Sequence, residues 1–272
     1  MTIDDPILLV GGGKMGGALV AGWLDGGVDP AAIHVVEPGE AGRAALVDMG
    51  VRAVAKLGDL PGDLRPAVVV LAVKPQIMDD VLPPYAQFVA PATVFLSIAA
   101  GRTIASFTRH LGEHAAVVRS IPNTPAAIRR GMTVLCANAN VTPAQRTACD
   151  SLLQGVGATG WVDDESLMDA ATAVSGSGPA YVFHLIESMA AAGVDNGLPA
   201  DLAGRLAVET VAGAGALAER SGDDPAQLRK NVTSPGGTTE AALNELMADN
   251  AMGDLLQRAI GAATRRSRDL AG

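Results

Sequence analysis

Cysteine, aromatic residues and positive charge are all scarce in this chain. Only Cys136 and Cys149 occur among its 272 residues, at a spacing that matches no zinc pattern. Neither a disulfide framework nor a structural zinc site is expected, and both positions read as reduced, semi-buried thiols. Aromatic residues make up 3% of the chain although 49% of it is hydrophobic, so alanine and glycine fill much of the interior. Small residues let backbones approach closely, as dinucleotide-binding sheets and interlocked helices require. Twenty basic residues face 29 acidic ones, for a formal charge of −9. That balance argues against a basic face for nucleic acid, and small anionic ligands must be held by local backbone donors. No apolar run reaches bilayer length uninterrupted. The acidic start followed by an apolar run and glycines is not a signal peptide. A soluble, cytoplasmic protein without membrane or nucleic-acid partners is expected.

What is present divides in two. The first part alternates short β-like runs with helical stretches: Ile7–Val10, Ile33–Val36, Val68–Val73, Val94–Ile98, Ala115–Arg119 and Met132–Cys136 read as strands, and Met15–Asp25 as a helix. Continuous apolar runs mark strands buried on both faces of a parallel sheet, and the alternation implies right-handed βαβ units in a doubly wound α/β domain. Beyond Gly160–Asp164 the strand signals vanish. Pro179 opens a helix that Gly193 can close, Pro199 opens another, Asp224-Pro225 reads as an N-cap with a first-turn proline, and two last helices cover about 239–248 and 252–270. The expected domains are 1–163, a Rossmann-type dinucleotide-binding domain, and 164–272, an all-α domain.

Gly11-Gly12-Gly13-Lys14-Met15-Gly16 fits the G-x-G-x-x-G pattern, with a strand before it and a helix and second strand after it. Gly11 permits the tight turn, Gly13 lets a pyrophosphate approach the backbone, and Gly16 lets helix pack on strand. The amides of Lys14 and Met15 open the helix whose positive end faces the phosphates. Glu37, at the end of the second strand, suits the ribose hydroxyls and repels a 2′-phosphate, while Arg43 on the following helix could accept one. NADH and NADPH both stay open. Val73-Lys74-Pro75, Ala99-Ala100-Gly101 and Asn123 follow the next three strands at the carboxyl edge, where open α/β sheets bind ligands. Each of these loops read alone is equally an ordinary turn.

Two segments of the helical half combine hydroxyls with glycines at a helix start: the run 175–181 (SGSGPAY), containing Ser177, and the run 232–239 (VTSPGGTT), containing Ser234, Gly237, Thr238 and Thr239. Free N–H groups with hydroxyls bind a carboxylate without Arg or Lys. Simple helix capping uses the same residues. His34, His110, His114 and His184 form no triad or ligand cluster, so no metal is expected.

The segments GGGKMGGAL, AVKPQ, SIAAG, IPNTPAAIRRGMT, SGSGPAYVF, GVDNGLP, NVTSPGGTT and the closing RRSRDL, in this order, resemble the pyrroline-5-carboxylate reductase family over almost the whole chain. The resemblance implies reduction of 1-pyrroline-5-carboxylate to L-proline by NADPH or NADH, the last step of proline biosynthesis. It implies a dimer of interleaved helical domains, in some members built up to a decamer. It also implies that Thr239 hydrogen-bonds the ring nitrogen, that Ser234, Gly237 and Thr238 hold the substrate carboxylate, and that Lys74, Ala100 and Asn123 lie in cofactor loops. Two departures stand out. Glu37 replaces a small polar residue common in relatives, which leaves cofactor preference open, and ELMADN (245–250) replaces Leu-Glu followed by Gly. A β-hydroxyacid dehydrogenase would need a catalytic lysine in the helical half, where Lys230 is the sole candidate. A nucleotide sensor would not need the hydroxyl-rich segments.

Overall fold

The computed structural model describes residues 5–271. Its apolar runs form an eight-stranded sheet: β1 (Ile7–Val10), β2 (Ile33–Val36), β3 (Arg52–Val54), β4 (Val68–Leu71), β5 (Val94–Ser97), β6 (Ala116–Ile121), β7 (Gly131–Ala137) and β8 (Gly157–Trp161), in the order β3-β2-β1-β4-β5-β6-β7-β8. The first six run parallel. Between the strands lie α1 (Lys14–Asp25), α2 (Glu40–Asp48), the single turn α3 (Met78–Val81), α4 (Ile104–Leu111) and α5 (Pro143–Gln154). The order places the switch point between β1 and β4, beside the glycine loop.

The pleat explains the burial on both faces. Ile7, Leu9, Ile33, Val35, Val68, Val70, Val94 and Leu96 point to one side, where they meet Leu19, Val20 and Trp23 of α1 and Leu152 and Leu153 of α5. Leu8, Val10, Val69, Leu71 and Phe95 point to the other and meet Met78, Leu82, Tyr85 and Phe107. Each such side chain contributes about 1.5–3 kcal/mol by leaving water. Trp23 is fully buried, and its indole N–H donates to Leu152 O at 2.9 Å, fixing α1 against α5.

β7 runs antiparallel to β6 because the connection contains only a 3-10 turn (Thr124–Ile128), too short for a parallel crossover. β8 then pairs parallel to β7 across α5. β3 and β8 carry no apolar run and were not expected from the sequence. β3 is three residues long, and β8 is GATGW at the sheet edge.

Beyond β8 come α6 (Met168–Ala171), a π-helical turn (Thr172–Gly176), α7 (Gly178–Asp195), α8 (Ala200–Ser221), α9 (Pro225–Asn231), α10 (Thr238–Met247) and α11 (Ala251–Ala271). The chain packs as two units. One runs to Gly176 and takes back the chain from Thr264 onward; the other is Ser177–Ala263. In the first unit, Ser267 Oγ donates to Asp169 Oδ1 at 2.7 Å, so the chain's end is tied to the start of α6. In the second, α7 and α8 form a hairpin. Gly193 does not close α7; it lies within the helix, where an added Cβ would sit 3.2 Å from Ala203 Cβ, so its smallness serves interhelix contact. The helix ends at Asn196, followed by Gly197 at φ +95°. Asp224 caps α9 as expected, accepting from Ala226 N at 2.7 Å. Among the described residues no helix is long and apolar enough to cross a membrane, and no group of three or more His, Cys, Asp or Glu could hold a metal.

Candidate functional site

The glycine loop follows β1 directly. Gly11 has φ +100°, and a Cβ there would lie 2.8 Å from Ala72 O; a Cβ on Gly16 would lie 2.3 Å from Gly11 O. Both glycines are therefore required by backbone contact. At Gly13 an added Cβ meets nothing within 4 Å. That open space is what a close-lying phosphate needs, and it distinguishes Gly13 from its neighbours. Gly13 is the N-cap of α1 and no side chain caps the helix start, so the first-turn amides at Lys14, Met15 and Gly16 are available to an anion. The residues present fit a dinucleotide.

Glu37 stands where β2 ends, and it is already engaged. Its carboxylate accepts from Gly12 N at 2.7 Å and from Gly39 N at 2.6 Å. The side chain thus braces the glycine loop against the β2 turn, which a plain surface glutamate would not do. Arg43 donates through Nη1 to Glu37 O and Pro38 O, both at 3.0 Å. Its guanidinium is held beside the same turn.

Val73, Lys74 and Pro75 leave β4, with Lys74 exposed and Pro75 opening a 3-10 turn. Ala99, Ala100 and Gly101 leave β5. Ala99 is buried with its N–H on Ser97 Oγ at 3.2 Å, and Gly101 has φ +70°. Because β1, β2, β4, β5 and β6 are parallel, all these loops and Asn123 share one sheet edge. Asn123 departs from a simple loop role, since both ends of its amide are used. Oδ1 accepts from Met132 N at 2.9 Å, and Nδ2 donates to Ser175 O at 3.2 Å. It ties the end of β6 to the start of β7 and to the π-helical turn ahead of α7.

In the second unit, Ser177 is the N-cap residue of α7, with no side-chain cap and Pro179 in the first turn. The 232–237 segment turns at Gly236 (φ +71°) and delivers Gly237 as the N-cap of α10, again uncapped by any side chain. Ser234 precedes the helix, Thr238 and Thr239 form its first turn, and Gly236 N donates to Glu240 Oε2 at 2.7 Å. Both hydroxyl-rich segments are thus helix starts, and Thr239 is half-buried while Thr238 is exposed.

Sequence reasoning passed over several side chains beside these loops. Arg119, 2% exposed on β6, pairs with Glu165 Oε1 at 2.9 Å, and the same oxygen accepts Ile104 N at 2.8 Å. Asp79, just after the Lys74 loop, pairs with Arg102 and lies 2.9 Å from His110 Nε2; hydrogen bonds from Arg102 and then His110 hold its carboxyl at about 2. An arginine inside an apolar strand, VVRSI, was the available signal for the first group. The second has no local signature because its partners are separated along the chain.

A mostly parallel sheet with a G-x-G-x-x-G turn at its switch point, followed by a helical unit, defines a two-domain protein of the dinucleotide-dependent oxidoreductase type. Residues 6–101 match the family described as NADP oxidoreductase, coenzyme F420-dependent, and residues 165–270 match pyrroline-5-carboxylate reductase dimerisation. The chain is 42% identical to a pyrroline-5-carboxylate reductase of Pseudomonas aeruginosa, covering 97% of this chain and 96% of that one, and 36% identical to one of Pisum sativum, covering 96% and 94%. Among solved structures it is similar to a pyrroline-5-carboxylate reductase from Coxiella burnetii (TM-score 0.94, 34% identity, 98% and 99% covered). It is also similar to a Plasmodium falciparum pyrroline carboxylate reductase with NADP bound (TM-score 0.82, 28% identity, both chains covered fully). The chain belongs to the pyrroline-5-carboxylate reductase family.

Proposed function

We propose that the chain reduces the C=N bond of 1-pyrroline-5-carboxylate to give L-proline at the expense of NADPH or NADH, as the last step of proline biosynthesis in the cytoplasm. The observation that carries this reading is the joint occurrence, in one family member, of an intact phosphate cradle at Gly11–Gly16 and two uncapped, hydroxyl-bearing helix starts at Ser177 and Gly237.

In this reading residues 1–163 bind the dinucleotide and residues 164–272 bind substrate and self-associate as a dimer, with a decamer as the larger assembly. The net charge of −9 gives no footing for nucleic acid. When bound, a dihydronicotinamide supplies the reducing equivalent. Gly11, Gly13 and Gly16 seat the pyrophosphate against the start of α1, with Lys14 and Met15 contributing amides. Glu37 faces the adenosine ribose. Val73, Lys74, Pro75, Ala99, Ala100, Gly101 and Asn123 shape the nicotinamide end. Ser234, Gly237 and Thr238 hold the substrate carboxylate at the positive end of α10, and Ser177 assists at α7. The Thr239 hydroxyl hydrogen-bonds the ring nitrogen and so orients the C=N bond. A protonated imine is already electrophilic, so positioning supplies most of the catalysis and no metal or nucleophile is needed.

The test is the fall of NADH or NADPH absorbance when pyrroline-5-carboxylate is added to the pure protein. Rapid oxidation with stoichiometric proline is expected. Binding of NAD(P)H with no turnover would replace the reductase reading with that of a nucleotide sensor.

A further inference from the structure

We propose that Glu165, held in place by the buried Arg119, is a positioning residue that fixes the stem of the 98–103 loop for hydride transfer. The proposal rests on the assignment of Ala99–Gly101 to the nicotinamide end of the cofactor site.

The loop leaves β5, turns at Gly101 and ends where α4 begins at Ile104. A helix start exposes amides that need acceptors. Thr103 supplies one locally, accepting from Ser106 N. The Ile104 amide has a partner from far along the chain, Glu165 Oε1 at 2.8 Å, contributed by the 3-10 turn after β8. Glu165 therefore pins the point at which the loop becomes helix.

Arg119 decides that this is more than incidental capping. Its guanidinium is buried, makes the 2.9 Å contact with the same Glu165 oxygen, and leaves Nε and Nη2 buried without hydrogen-bond partners. A buried arginine so incompletely satisfied is a poor stabilising device, and an apolar side chain in that strand would serve the core as well. What it does provide is one fixed location for the carboxylate. In the same stem, Arg102 is tied to Asp79, the second residue of α3 after the Lys74 loop. Two carboxylates thereby hold the end of the loop. Asp79 is half-exposed, so that tether is the weaker one.

Ile104→Pro deletes the amide donor, and its Cδ, which takes the place of the N–H hydrogen, pushes the Glu165 carboxylate off the loop stem. Proline is well tolerated at the first helical position, and Thr103 already has the extended backbone (φ −87°, ψ 157°) that a following proline needs. Ile104→Ala is the control, because it removes the side chain and keeps the N–H. Loss of registration at the reacting carbon is expected to lower kcat of the proline variant about tenfold relative to the alanine variant. KM for the imine should match between the two. A second pair keeps the question decidable if either variant folds poorly. Arg119→Met/Glu165→Gln retains the acceptor for Ile104, whereas Arg119→Met/Glu165→Leu does not, and the former should have the higher kcat. Equal kcat within both pairs overturns the proposal. Should the wild-type protein bind NAD(P)H without turning over the imine, the reductase reading fails by itself. The same pairs are then compared by NADH fluorescence titration, where weaker binding in the anchor-free member supports the proposal and equal binding overturns it.

Discussion

In the proposed reading, single side chains decide the cofactor and substrate chemistry. Glu37 accepts two backbone amides within the turn that an adenosine ribose would approach, so its negative charge is fixed in place and would oppose a 2′-phosphate. Replacing it with serine, with Arg43 left beside the turn, should raise the ratio of kcat/KM for NADPH over NADH by about tenfold, equivalent to about 1.4 kcal/mol. Steady-state assays with each nucleotide check this, and an unchanged ratio would remove Glu37 from cofactor selection. At the substrate end, Thr239→Ala should lose about 1–3 kcal/mol of transition-state stabilisation, the usual worth of one hydrogen bond to a polarised group, read as lower kcat/KM with unchanged NAD(P)H affinity. The roles of Gly11 and Gly16 were legible because backbone crowding leaves a signature that only glycine satisfies. Asn123 was legible only in position. Its amide joins main-chain groups of two segments, and such long-range pairings leave no mark on the local sequence. The same holds for Glu165, whose partners lie at 104 and 119.

Among the elements, strands buried on both faces announced themselves: β1 and β2 begin and end as the apolar runs suggested. β3 and β8 did not, because a short half-exposed strand and a glycine-rich edge strand have no apolar period to read. The antiparallel turn to β7 is set by a short connection, which could have been read from the spacing of Ile121 and Met132. The π-helical turn at Thr172–Gly176 has no sequence signal at all. The α10–α11 joint gives the ELMADN departure a physical meaning. Asp249 and Asn250 both adopt left-handed backbone angles, φ 46° and 57°, and Asn250 Nδ2 donates to Asp254 at 2.5 Å. Asn and Asp tolerate that conformation better than other side chains, which lets the turn form without glycine. Asn250→Val should therefore destabilise the protein by about 1–2 kcal/mol, measured by urea denaturation. A loss no larger than that of a neutral surface change would mean that the joint relaxes.

On the scale of the whole molecule, the second unit cannot be self-sufficient. Buried residues are confined to Ala203 and Ala207 of α8, while Phe183 is 58% exposed, Leu217 55% and Leu255 57%. An apolar surface of that extent marks an interaction face, in agreement with the match of residues 165–270 to a dimerisation family. Phe183→Glu is expected to shift the protein toward smaller species in sedimentation velocity and to lower its thermal midpoint. A mass equal to that of the unaltered protein would exclude this face from the interface. Composition alone pointed to close-packed small residues and to an acidic surface. Self-association became legible only through the family resemblance, because an exposed apolar helix face and a buried one have the same periodicity.

The return of the chain's last turns to the first unit, through Ser267 and Asp169, has a consequence for biosynthesis. A nascent chain emerges amino end first, and domains ordinarily complete themselves in that order. Here the first unit is still missing a piece when its own sheet has been made, and that piece is synthesised only after the second unit. Packing of the first unit is therefore completed only after the second unit has been synthesised.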